Sequence, residues 1–130
     1  MTEATLKSAL VKDLRYFLPG YVILRHEDRI THGIPDITVT GSGKTTWIEA
    51  KFANPKFQSR GIQELTLSRL ALAGSAFYIV WSLDKFGDRL TYIVSPKDIG
   101  KPMDEWENVS SGIDHKFVID HIRRTHDHVR

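Results

Sequence analysis

Stretches of helical and strand periodicity alternate along the chain, and together they predict an α/β fold. Thr2 is a favoured helix N-cap type, and Glu3 puts an acid in the first turn, where the helix dipole favours it. Leu6, Leu10, Leu14 and Phe17 then recur at helical spacing, Val11 and Leu18 widen the stripe, and Pro19-Gly20 stops it. Tyr21 to Leu24 predicts a strand that extends towards Ile30, and Thr31-His32-Gly33 a turn. Ile34 to Thr40 predicts a second strand, Gly41-Ser42-Gly43-Lys44 a hairpin loop, and Thr45 to Phe52 a third strand. Ile62 to Ala73 predicts a second helix ended by Gly74, with Asn54-Pro55 and Gly61 marking two alternative starts. Ala76 to Trp81 and Arg89 to Val94 predict two further strands, separated by the turn Asp84 to Asp88. Ser95 to Ile99 predicts one helical turn, and Phe117 to about His126 a closing helix. The third strand reaches Ala76–Trp81 only through a helix, which implies a parallel pair and therefore a mixed sheet flanked by helices.

Composition narrows the class without naming a function. A chain of 130 residues predicts a single domain, here a core of about 3–94 with a C-terminal extension over 95–130. Hydrophobic residues at 41% and charged residues at 26% are ordinary for a globular domain with one core. The absence of cysteine excludes a disulfide framework and a thiolate zinc site, and fits a reducing interior. No apolar run approaches the ~18 residues of a membrane span. The stretch Met1 to Thr5 lacks a basic region followed by an apolar one, so a cytoplasmic location is expected. A net charge of +2 permits nucleic-acid binding without arguing for it, since a local basic stripe matters more than the total.

The chemistry lies in Gly33-Ile34-Pro35-Asp36 and Trp47-Ile48-Glu49-Ala50-Lys51. Successive side chains of a strand alternate in face, so Trp47, Glu49 and Lys51 share one face while Ile48, Ala50 and Phe52 take the other. Pro35 biases Ile34 to extended geometry and delivers Asp36 at a defined place, where a hairpin sets it beside Glu49. Two carboxylates, with the Ala50 carbonyl as a further oxygen, suit Mg²⁺, which prefers oxygen ligands and keeps several waters. Such a metal activates water and neutralises phosphate charge, and Lys51 would orient that water or stabilise the transition state. The plainer alternative is a solvated strand face whose ion pairs contribute little. Glu3, seven positions before Leu10, lies on the core-facing stripe and could reach the sheet, or be merely a first-turn acid. Gln63, in line with Leu67 and Leu70, needs a partner if buried, or lies at the helix edge.

In this order and on these elements, the residues resemble the PD-(D/E)XK nuclease superfamily. More narrowly, Gly33-Ile34-Pro35-Asp36, Glu49-Ala50-Lys51 and Gln63 are similar to the VRR-NUC (virus-type replication-repair nuclease) group, close to archaeal-type Holliday junction resolvases. The resemblance runs from about Glu3 to Trp81. It implies a restriction-endonuclease-like fold and Mg²⁺- or Mn²⁺-dependent cleavage of DNA. It also implies Asp36 and Glu49 as metal ligands, Lys51 as the catalytic lysine, Glu3 as the first-helix acid and Gln63 as the helix glutamine. Homodimers acting on branched or junction DNA, often from viruses or mobile elements, belong to the same implication, with the host cytoplasm as location in that case. Two departures stand out: Ala50 occupies a position where a bulkier apolar residue is usual, and Ser59 lies four rather than three positions before Gln63.

Two other functions remain open: a non-catalytic DNA-binding or assembly module with this fold, and a restriction-type nuclease for ordinary duplex. An intact Asp36, Glu49 and Lys51 argues against the first, and the lack of a separate target-recognition region against the second. Lys44, Lys51, Lys56, Arg60 and Arg69 are the candidate phosphate contacts. His26 and His32 precede the Pro-Asp step and could touch a phosphate or the metal, or simply be solvated. His121, His126 and His128 match no tight zinc-ligand spacing, and with Arg123 and Arg124 they predict a polar tail helix.

Overall fold

The computed structural model describes residues 2–26, 34–53 and 61–127, the side chains of 61–66 excepted. Its elements in chain order are α1 (Glu3–Phe17), β1 (Val22–Arg25), β2 (Ile37–Gly41), β3 (Lys44–Ala53), α2 (Gly61–Ala73), β4 (Ser75–Leu83), β5 (Arg89–Val94), β6 (Val109–Ser111) and α3 (His115–Asp127). They form one six-stranded sheet in the order β1-β2-β3-β4-β5-β6. Only the β3–β4 pair is parallel, joined through α2 as a crossover must be. The fold is thus α/β, a mixed sheet with helices on both faces.

Alternation along the strands sorts the core into two layers. On one face Ile23, Ile37, Val39, Ile48, Ala50, Phe77, Ile79, Trp81 and Ile93 pack beneath α1 and α3. On the other, Ala53, Tyr78, Val80 and Val94 pack with Leu67 of α2 and with Ile99 and Trp106. Thr2 caps α1 as expected, its hydroxyl accepting from the Thr5 N–H while Thr5 reciprocates to the Thr2 N–H. Leu6, Leu10, Val11 and Leu14 are buried, whereas Phe17 is half exposed and Leu18 takes the last core position. The helix ends there, and the chain turns Phe17 outward.

The hairpin between β2 and β3 is tighter than the four-residue loop expected. Gly41 and Lys44 are already paired, leaving Ser42 and Gly43 as a two-residue turn with φ of 53° and 77°. Two successive positive φ values suit the right-handed twist of the flanking strands. Gly41 is required for another reason: a Cβ there would lie 2.6 Å from the Tyr21 ring.

Beyond β5 the structure departs most from expectation. Ser95–Ile99 forms reverse turns, with Asp98 N–H donating to Ser95 O at 2.9 Å, and the helical turn falls instead at Met103–Glu105. β6 pairs with β5 although only three residues long and largely polar, too short to give alternation in the sequence. The closing helix is not a polar tail. Val118, Ile119 and Ile122 enter the same core as α1 and the sheet, each burial contributing about 1.5–3 kcal/mol.

His126 completes that docking and is fully buried. Its Nδ1 lies 2.9 Å from the Gly41 carbonyl, which can only accept, so Nδ1 carries the proton. Its Nε2 meets Thr46 Oγ1 at 2.7 Å, and Thr46 in turn meets Ser75 Oγ at 3.1 Å. Both ring nitrogens are engaged within the fold, which removes His126 from any zinc site. In His126→Ala the Thr46 hydroxyl and the Gly41 carbonyl each lose a hydrogen bond and a cavity opens. We expect that variant to lose about 2–4 kcal/mol in urea unfolding; a loss below about 1 kcal/mol would contradict this role.

Candidate active site

β3 runs past the end of its neighbour, and the candidate site is built on the overhang. The β2–β3 register ends at Ile37↔Ile48, while β3 continues to Ala53. In an antiparallel ladder every second residue turns both its N–H and its C=O towards the partner strand. Ala50 and Phe52 are such residues, and β2 is no longer there to meet them. Carboxylates take its place. Asp36 Oδ2 accepts from Ala50 N–H at 3.0 Å, and Glu3 Oε1 accepts from Phe52 N–H at 2.9 Å. The Ala50 carbonyl points to the same side as its N–H, into this corner.

Asp36 immediately precedes β2, after the buried Pro35, and its own carbonyl accepts from the His26 N–H at 2.7 Å. Continuing the register sets it opposite Glu49, and the two carboxyls are hydrogen-bonded. Glu49 lies on the α2 face, 1% exposed, and its Oε1 has no hydrogen-bond partner among the described residues. Lys51 is half-buried two positions on, on the same face, and its charge acts on Glu49. Glu3 arrives from α1, on the opposite face, and reaches Phe52 past the end of β2.

Lys7 is the member of this group that the sequence did not reveal. Its Nζ lies 3.0 Å from Asp36 Oδ2 and 3.3 Å from Glu3 Oε2, with the side chain only 11% exposed. The spacing of Glu3 and Lys7, four residues apart on a helix, was the available signal, but it ordinarily marks a surface ion pair.

The electrostatics separate the two central acids. Burial, the hydrogen bond to Asp36 and the charge of Asp36 push the Glu49 carboxyl up to about 9, against the pull of Lys51 and Lys7. Burial also opposes ionisation of Asp36, but the Glu49 hydrogen bond, Lys7 and the Ala50 N–H outweigh it and hold Asp36 below its ordinary value. The two acids are therefore coupled, and Glu49 is the member that favours its protonated form. Burial disfavours the charge on Lys7 as well, yet Asp36 and then Glu3 hold its ammonium above the usual lysine value.

Among the described residues no three His, Cys, Asp or Glu side chains form a ready-made cation cage. A pair of carboxylates with one deeply buried, unpartnered oxygen nevertheless fits the donor chemistry of Mg²⁺ or Mn²⁺. Such ions take one or two protein carboxylates and complete their shell with water and phosphate.

The other expected residues distribute as follows. Arg69 is exposed on α2, on the same side of the sheet as Glu49. Lys44 does not belong here: it lies roughly 17 Å along β3 from Glu49, on the opposite face. Its Nζ donates to Thr125 O at 3.3 Å, near the C-terminal end of α3. His26 stacks on Trp47 with ring centroids 5.8 Å apart and meets Thr38 Oγ1 at 3.0 Å. His121 packs edge-on against Phe77, and burial with Arg124 nearby holds its pKa down. The Gln63 side chain, Lys56, Arg60, Ser59, His32, Gly33 and His128 lie outside the described residues.

Comparison with known proteins supports the fold independently. No family profile matches the chain, and no curated protein sequence matches it. Among solved structures it is similar to Hjc of Archaeoglobus fulgidus, a Holliday junction resolvase from an archaeal hyperthermophile. The TM-score is 0.55 at 12% identity, covering 84% of this chain and 83% of that one. The mixed sheet with flanking helices is therefore a fold shared with Hjc. No described helix is long and apolar enough to cross a membrane.

The raised Glu49 has a consequence for metal-free stability. Folded Glu49 keeps a proton that an unfolded chain releases above 4.5, so stability is full below that value and falls as pH rises towards about 9. Urea unfolding in EDTA should show this decline between about pH 5 and 8, and Glu49→Gln should flatten it. An unchanged slope in that variant would contradict the assignment.

Proposed function

We propose that this protein is a metal-dependent endonuclease that hydrolyses DNA phosphodiesters, with branched or junction DNA as its substrate class, acting as a homodimer. The observation that carries this reading is the Asp36–Glu49 pair, whose buried Glu49 oxygen has no partner among the described residues and feels the charge of Lys51. The Hjc-like fold supports the substrate class, since that neighbour resolves Holliday junctions. Two-fold symmetry would give two sites for two strands of a branched substrate.

Asp36 and Glu49, with the Ala50 carbonyl, would hold Mg²⁺ or Mn²⁺. A cation bound there supplies a water of lowered pKa and charge to offset that on the scissile phosphate. As a ligand Glu49 would have to be ionised, which would couple its protonation to occupancy. Lys51 directs a positive charge to where negative charge develops on phosphorus oxygens. Glu3 holds the β3 overhang, and Gln63 at the start of α2 is assigned to the site on the family resemblance. Lys56, Arg60 and Arg69 are assigned to phosphates of the DNA backbone. Lys44 is assigned to the fold instead, because α3 already uses it.

The test is cleavage of labelled four-way junction, flap, single-stranded and linear duplex DNA with Mg²⁺, Mn²⁺ or EDTA. Wild type should cut the junction only with metal. Asp36→Asn and Lys51→Ala should lower the rate by about a hundredfold or more, and Lys44→Ala should stay within about twofold. Folded wild type that shifts DNA but cuts nothing would replace this reading with a binding module. Cutting of linear duplex at a fixed sequence would make it a restriction-type enzyme.

A further inference from the structure

Glu3 and Asp36 each have a backbone anchor of their own, Phe52 N–H and Ala50 N–H respectively. Neither needs Lys7 to fix its position. Lys7 nevertheless lies between them, 3.0 Å from Asp36 and 3.3 Å from Glu3, in a largely buried setting where charge is costly unless paired. What it adds is charge. Two carboxylates drawn to adjacent N–H groups of one strand repel each other, and the ammonium offsets that repulsion.

A divalent cation at the Asp36–Glu49 corner supplies the same offset, so the two cations are rivals for one negative field. We propose that Lys7 is a built-in counter-cation: it stabilises the carboxylates in the metal-free protein and lowers their affinity for the metal. This rests on the reading of Asp36 and Glu49 as metal ligands. Lys7 is a tuning residue rather than a catalytic one, because it acts through the carboxylates. Its effect follows from proximity: like charges a few ångströms apart in a partly buried site interact by more than a tenfold change in binding requires.

The experiment is calorimetric titration of wild type, Lys7→Met, Lys7→Arg and Lys12→Met with Mn²⁺ at one pH and ionic strength. Lys7→Met should bind Mn²⁺ at least about tenfold more tightly than wild type, and Lys7→Arg should stay within about threefold. Lys12→Met removes the same charge from an exposed position of α1 and should change the Kd by less than about twofold. The metal-free Tm should fall in Lys7→Met, and saturating Mn²⁺ should raise it by more than in wild type. A purely structural Lys7 would leave metal affinity unchanged or weaken it, and either result overturns the proposal. So does equal tightening in Lys12→Met. Should Lys7→Met fail to fold, Lys7→Gln is measured against the same criterion. If neither wild type nor the Lys7 variant binds Mn²⁺, the metal reading itself fails.

Discussion

Two backbone N–H groups of β3, at Ala50 and Phe52, have no strand to receive them because β2 begins too late. A buried donor left without a partner costs about 1–3 kcal/mol, so the chain must find acceptors for both. Asp36 and Glu3 are those acceptors. Satisfying the backbone thus brings two carboxylates from different elements to one corner. Had β2 started three residues earlier, the ladder would close over Ala50 and the corner would not exist. The site follows from hydrogen-bond accounting in the sheet as much as from the identities of its acids.

The same corner resolves its charges internally. Burial beside Asp36 pushes the Glu49 carboxyl up, while Lys7 lies against Asp36 and the charge of Lys51 pulls Glu49 the other way. The acids are therefore held close together by the fold itself. Preorganisation of this kind is what lets charged groups act strongly in a sheltered site.

Much of this was visible in the residues alone. The leucine stripe of α1, the apolar run of β4 and the β5 boundaries carry strong periodicity, and the crossover topology fixed the parallel pair. Strand alternation placed Glu49 and Lys51 on one face. Lys7 stayed hidden because its partner Asp36 is brought to it only by the tertiary return of the chain. His126 stayed hidden for a related reason: among Arg123, Arg124 and Asp127 it looks solvated, and its partners Gly41 and Thr46 lie 85 and 80 residues away in sequence. β6 is polar and brief, and exists because β5 offers it an edge. In each case the missing information was a long-range contact, which no local pattern encodes.

The position of α3 also bears on the order in which the corner can assemble. The acids and lysines of the corner, Glu3 to Lys51, are translated first, but α1 rests on Val118, Ile119 and Ile122 of α3. A chain still attached to a ribosome lacks that layer until α3 has left the exit tunnel. Helix α1, which brings Glu3 and Lys7 to the sheet, then has half its bed missing. Assembly of the corner is thereby delayed until α3 has been made, so residues some seventy positions downstream of Lys51 complete the support of the corner.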